Sequence, residues 1–155
     1  MSPEDAPDPL GPLRWPRLWM ALGWLLLAAI ALGSLLPMPQ SLEVPVPGAD
    51  KFQHLLGYFL LTFWHAQLGL STPAFLLRGL GFIVLGALIE VLQAQTGYRE
   101  GDLRDLAANG VGVVFGLVIG SAHPGWLTRT EARIEQLALR RGWIAQRVAA
   151  EPARD

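Results

Sequence analysis

The chain has 155 residues, of which 52% are hydrophobic and only 16% charged, and a formal net charge of −1. Soluble domains carry about a quarter charged residues, so this balance argues against one. The absence of cysteine excludes disulfides and thiolate metal sites, and no nucleic-acid partner is expected.

Residues 1–17 form an acidic, proline-rich stretch (SPEDAPDPLGPLRWP) that is read as a disordered tail. Four apolar blocks follow. Leu18 to Leu36 is 19 residues without a charge. A cleaved signal peptide is the alternative for this block, since Ala29 to Ser34 holds small residues. The run is longer than a signal core and its leader is acidic, which favours a span. Phe52 to Leu70 is 19 residues with His54 and His65 as its ionisable groups. Phe75 to Leu92 is 18 residues interrupted by Arg78 and Glu90, and Leu106 to Ala122 is 17 residues with Asn109 as its strongest polar group. A membrane-crossing helix needs about 17 to 25 residues. Spanning strands would alternate apolar and polar residues, and these runs are continuous, so helices are expected. The expected fold is therefore an all-α membrane protein, a four-transmembrane-helix bundle over residues 18–122, with the lipid bilayer as its partner. Residues 123–155 are expected to form a cytoplasmic amphipathic helix and tail. The stripe Leu127, Ile134, Leu137, Ile144 and Val148, with Trp126 and Trp143 as anchors, suits a helix lying on a membrane surface. A helix for a partner protein is the other reading.

Basic residues fix the expected orientation. Arg14, Arg17, Arg78, Arg129, Arg133, Arg140, Arg141, Arg147 and Arg154 fall on one side, against Lys51, Arg99 and Arg104 on the other. Both termini are then cytoplasmic, and the loops 37–51 and 94–104 face outward.

The polar residues gather at those outward ends. Lys51, His54 and Tyr58 are spaced 3 and 4 apart and share a helix face, with Asp50 beside them. Glu90 and Gln93 close the third span. Asp102, Asp105 and Asn109 open the fourth with the same rhythm, and Arg99 precedes them. Each has an ordinary structural explanation. Asp102 suits a helix N-cap, with Asp105 three residues on as in a capping box. Lys51 suits a snorkelling side chain, and Asn109 an interhelical hydrogen bond. A carboxylate as deep as Glu90 is costly unless it faces the bundle, so it is expected to meet His54, Lys51 or Arg99. Ala108, Gly112, Gly116 and Gly120, each four apart, form a small-residue stripe for helix packing. His65, Gln67 and Thr62 are read as interfacial.

The chain resembles the VanZ-like membrane proteins. The carrying segments are "SLLP" ending span one, "DKFQHLLGYFLL" opening span two, "IEVLQ" closing span three, and Arg99 to Gly112 (REGDLRDLAANGVG) entering span four. The resemblance covers residues 18–120. It implies a multi-pass protein of the bacterial cytoplasmic membrane linked to the cell envelope. The family's namesake is associated with low-level teicoplanin resistance. The resemblance carries Asp50, Lys51, His54, Glu90, Gln93, Arg99, Asp102, Asp105 and Asn109 over as a functional face, and no catalytic role.

Four functions stay open. Lys51 and Arg99 would hold the head group of a lipid or lipid-linked cell-wall precursor, oriented by Glu90, Asp102 and Asp105. A membrane enzyme would use His54 with Glu90 or Asp105 as an acid–base pair, or a metal held by Asp50, His54 and Asp102. A proton path or a structural scaffold would use the charges differently. No cofactor and no metal ligand is assigned.

Overall fold

The computed structural model describes residues 12–37, 46–97 and 101–140. These form five α-helices and, among the described residues, no strand: α1 (Pro16–Leu35), α2 (Ala49–Ala66), α3 (Thr72–Gln93), α4 (Leu103–Ala122) and α5 (Trp126–Arg140). Two compact units divide them. Residues 15–124 hold α1 to α4, and α5 belongs with the N-terminal segment that ends at Arg14.

Helix boundaries follow local chemistry. Pro16 opens α1 and Pro73 lies in the first turn of α3, positions where a missing N–H costs nothing. Pro16 and Arg17, expected in the tail, are thus helical. Gly48 starts α2 in a left-handed conformation (φ 80°), and a second positive φ at Gly69 (68°) follows its end. Helix α2 therefore covers 49–66, displaced toward the N-terminus from the apolar block 52–70.

Three helices, α1, α3 and α4, are long and apolar enough to cross a membrane. Helix α2 is not among them, because Asp50, Lys51, Gln53 and His54 crowd its first turns. It is nonetheless well packed, mainly on α4 and also against α1 and α3. The four-helix unit is apolar outside and partly polar within. Leu25, Leu77 and Val118 are 64%, 69% and 61% exposed, whereas Thr62, His65, Glu90, Gln93 and Asn109 are buried around Tyr58, Leu61, Phe82 and Val113. Outward faces this apolar exceed anything a water-soluble monomer tolerates and suit lipid.

The α2–α4 contact runs along Gly112, Gly116 and Gly120, all buried. A Cβ at Gly112 would lie 2.3 Å from the Leu55 carbonyl oxygen; at Gly116 it would lie 2.5 Å from Thr62 Cβ, and at Gly120 2.4 Å from Ala66 Cβ. Ala108, half-buried, lies one turn toward the polar end. Residues deeper in α2 are enclosed, not interfacial. His65 is fully buried, its Nδ1 2.8 Å from the Leu61 carbonyl and its ring edge-on to Phe82. Trp64 donates its indole N–H to the Trp19 carbonyl at 3.0 Å, and Gln67 donates to the Gly120 carbonyl at 3.3 Å.

In the other unit, α5 is amphipathic. Leu127 and Glu131 are its buried residues, and Trp126, Ile134, Leu137 and Leu139 are exposed. The Arg14 N–H donates to Glu131 Oε2 at 2.7 Å, and the Arg14 guanidinium pairs with Glu135. Trp143, Ile144 and Val148, expected to continue the stripe, lie outside the described residues, as do Arg141, Arg147 and Arg154.

Replacing Gly112 with alanine forces α2 and α4 apart, whereas a methyl group at Gly110 would meet no atom within 4 Å. We expect Gly112→Ala to cost about 1–3 kcal/mol, read as a lower thermal midpoint in detergent. Gly110→Ala should leave the midpoint unchanged or raise it, because alanine favours helix.

Candidate functional site

Helix α4 continues its glycine face upward with Asn109 and Asp105, both buried. The close α2–α4 approach sets these two residues against the first turns of α2. His54 Nδ1 lies 3.1 Å from Asn109 Oδ1. Since that atom is an acceptor, Nδ1 is the nitrogen that donates to it, and Nε2 is turned to the other side of the ring. Nε2 is 3.9 Å from Asp105 Oδ2, and both side chains are about nine-tenths buried. Lys51, one turn earlier, sets its ammonium 2.8 Å from Asp50 Oδ2, 3.1 Å from Asp102 Oδ2 and 3.1 Å from Asp105 Oδ1.

Asp102 is the N-cap of α4, accepting the Arg104 N–H at 2.8 Å. That backbone hydrogen bond, with Lys51 second, holds the Asp102 carboxyl below the usual carboxylate range. A capping box would return Asp105 to the Asp102 N–H. Instead Glu90 of α3 takes that N–H, at 3.1 Å through Oε2, which frees Asp105 to face His54 and Lys51. Glu90 is buried, and its Oε1 has no hydrogen-bond partner among the described residues. One ligating atom from each of His54, Glu90 and Asp105 lies within 4.8 Å of the others.

Gln93, also buried, donates to the Ser34 carbonyl at 2.8 Å. Ser34 sits in the last turn of α1, where carbonyls lack helical partners. Gln93 thereby ties α3 to the end of α1. Gly86 of α3 leaves room for two further polar tips: a Cβ there would come 3.0 Å from Asn109 Nδ2 and 3.1 Å from the Tyr58 hydroxyl. Neither of these buried atoms has a hydrogen-bond partner among the described residues. Between α1 and α2 a cleft of about 220 Å³, lined by Ala29, Ile30, Gly33, Ser34, Gln53, His54, Gly57 and Tyr58, reaches this cluster.

Eight of the nine residues of the expected functional face thus gather at one end of the four-helix unit; Arg99 lies outside the described residues. Some of the expected pairings form. Glu90 neighbours His54, one of its three expected partners, and also meets the α4 N-terminus. Lys51 is spent on carboxylates. Asp50 points its largely exposed carboxylate at Lys51, so a metal set of Asp50, His54 and Asp102 is not assembled; Glu90 and Asp105 take the places beside His54. Sequence reasoning passed over Gly86, the Ser34 carbonyl and Gln53. It placed Tyr58 on the right helix face without giving it a part. An internal glycine in "VLGALIE" carries no signal of the hydroxyl and amide it shelters. Comparison with protein-family models, curated proteins and solved structures finds no match to this chain.

Gln93→Ala should cost about 1 kcal/mol through the lost bond to Ser34. Gln93→Glu should cost more, because it sets a carboxylate against that carbonyl in an already acidic cluster. Thermal midpoints of the two variants in detergent check the order.

Proposed function

We propose that this chain is a VanZ-like integral membrane protein of the bacterial cytoplasmic membrane whose polar cluster receives the head group of a lipid or lipid-linked envelope precursor. On this reading α2 is a fourth span, held in the bilayer by its partners α1, α3 and α4. The polar end faces outward, both termini are cytoplasmic, and α5 lies on the inner surface. The carrying observation is the cleft between α1 and α2. It leads through otherwise lipid-compatible helices to His54, Tyr58 and the cluster behind them. Small side chains at Ala29, Gly33 and Gly57 leave its space, and Gln53, Ser34 and His54 supply polar groups. A polar group at this depth in a membrane helix marks a functional path more often than a decoration.

Charge shapes the occupant. Among the described residues of the cluster, the single cation Lys51 faces Asp50, Asp102 and Asp105, with Glu90 nearby. Sugar hydroxyls or an amine suit such a site directly. A bare phosphate does not. A second reading, acid–base catalysis on the bound head group, is favoured by the 3.9 Å approach of His54 Nε2 to Asp105.

Gly33 lines the cleft, and a side chain there meets no atom within 4 Å of its Cβ. Gly33→Leu therefore fills the cleft without disturbing the bundle. Native mass spectrometry should show the wild type retaining a polyprenyl-phosphate-linked sugar lipid over phosphatidylglycerol, and the variant losing that preference by tenfold or more. Equal retention by both proteins, or no preference in the wild type, overturns the reading.

A further inference from the structure

We propose that His54, Glu90 and Asp105 bind a divalent transition metal ion of the zinc type. The inference deepens the site described above. It rests on the proposed function only in taking this cluster as a place where a ligand binds.

Each of the three side chains has one atom engaged and one left over. His54 uses Nδ1 on Asn109 Oδ1 and keeps Nε2. Asp105 has the Lys51 ammonium at ion-pair distance from Oδ1, which makes no hydrogen bond, and turns Oδ2 to within 3.9 Å of that same Nε2. Glu90 accepts the Asp102 N–H through Oε2 and keeps Oε1, which is buried and has no hydrogen-bond partner among the described residues. Histidine ligands characteristically pass their second ring N–H to a nearby acceptor, which fixes the tautomer and aims the other nitrogen at the metal. The Asn109 contact has that form.

Distances agree with a site that tightens on binding. Zinc bonds to imidazole nitrogen and carboxylate oxygen are about 2.0–2.2 Å, so tetrahedral ligand atoms stand about 3.4 Å apart. The three residues offer atoms within 4.8 Å of one another, and closing the set takes side-chain movements of about 1 Å. One nitrogen and two oxygens suit zinc or manganese more than calcium or magnesium, which favour all-oxygen shells.

Charge gives an independent reason. Glu90 is buried at a helix end in an apolar unit, and among the described residues no Lys, Arg or His lies within ion-pair distance of it. A dication neutralises Glu90 and Asp105 together. It also leaves a coordination position open toward the head group, which makes a phosphate acceptable beside an otherwise acidic cluster.

The test uses the full chain purified in detergent and stripped with a chelator. Zinc titration with a competing fluorescent indicator should show one tight equivalent. His54→Gln, Glu90→Gln and Asp105→Asn should each weaken it by about a hundredfold, whereas Glu135→Gln in the other unit should leave it unchanged. X-ray absorption at the zinc edge of the wild type needs no variant, and should show one imidazole nitrogen among oxygens. Absence of stoichiometric zinc on folded wild type, an all-oxygen shell, or full binding in His54→Gln and Glu90→Gln overturns the proposal. Gly33→Leu should bind zinc as the wild type does. Loss of lipid preference with zinc retained in the wild type would refute the head-group reading alone, and lipid preference without zinc would refute the metal alone.

Discussion

The near-contact of α2 and α4 backbones is the constraint on which the rest depends. Gly112, Gly116 and Gly120 remove every side chain from one face of α4, so carbonyl and amide groups of α2 come within van der Waals reach. Without solvent to drive helices together, association in lipid relies on such close packing. The same face, one turn higher, carries Asn109 and Asp105. Their distance to Lys51 and His54 is therefore fixed by the glycines below them. The polar site is an extension of the packing seam, and its geometry is inherited from atoms that take no part in its chemistry.

That seam also makes the charges tolerable. Lone carboxylates at this depth are expensive, and the structure distributes the cost over several donors. Asp102 accepts from a helix N-terminus, Asp105 pairs with Lys51, and one of the two Glu90 oxygens takes the N–H that the capping residue exposes. Gln93 performs the converse service for a helix C-terminus, donating to an unpaired carbonyl of α1. Helix ends thus supply much of the polar complement, and the side chains join three or four helices as they do so.

The sequence was most legible where physics is periodic. Continuous apolar runs placed α1, α3 and α4 to within a few residues, and the four-residue spacing of Gly112, Gly116 and Gly120 marked the face that α2 covers. Residues such as His54, Glu90 and Asp105 were legible as polar letters in greasy surroundings. Their partners were less so. Which of two acids caps a helix depends on where a third helix ends, and that is a tertiary fact. Asp102 and Asp105 read alone as a capping box; Glu90 displaces Asp105 because α3 stops beside the start of α4. Helix α2 was blurred for a related reason. Its polar first turns lower its average hydropathy, and its end is set by turn geometry at Gly69 and not by the apolar run. Likewise His65 and Thr62 looked interfacial because burial by neighbouring helices leaves no mark in a single strand of letters.

The division between a lipid-compatible exterior and a glycine-and-polar seam has an evolutionary consequence. Leu25, Leu77 and Val118 leave more than half of their surface outside the bundle. Exchanges among leucine, isoleucine, valine and phenylalanine at such exposed positions cost the fold little. Information about this architecture is concentrated in a handful of positions: the seam glycines, the strap at Gln93, and the carboxylates, histidine and amide at the upper end. Distant descendants of such a chain would keep the spacing of those few letters while most of their alphabet turned over. Kinship among them would be recorded as rhythm, not as identity.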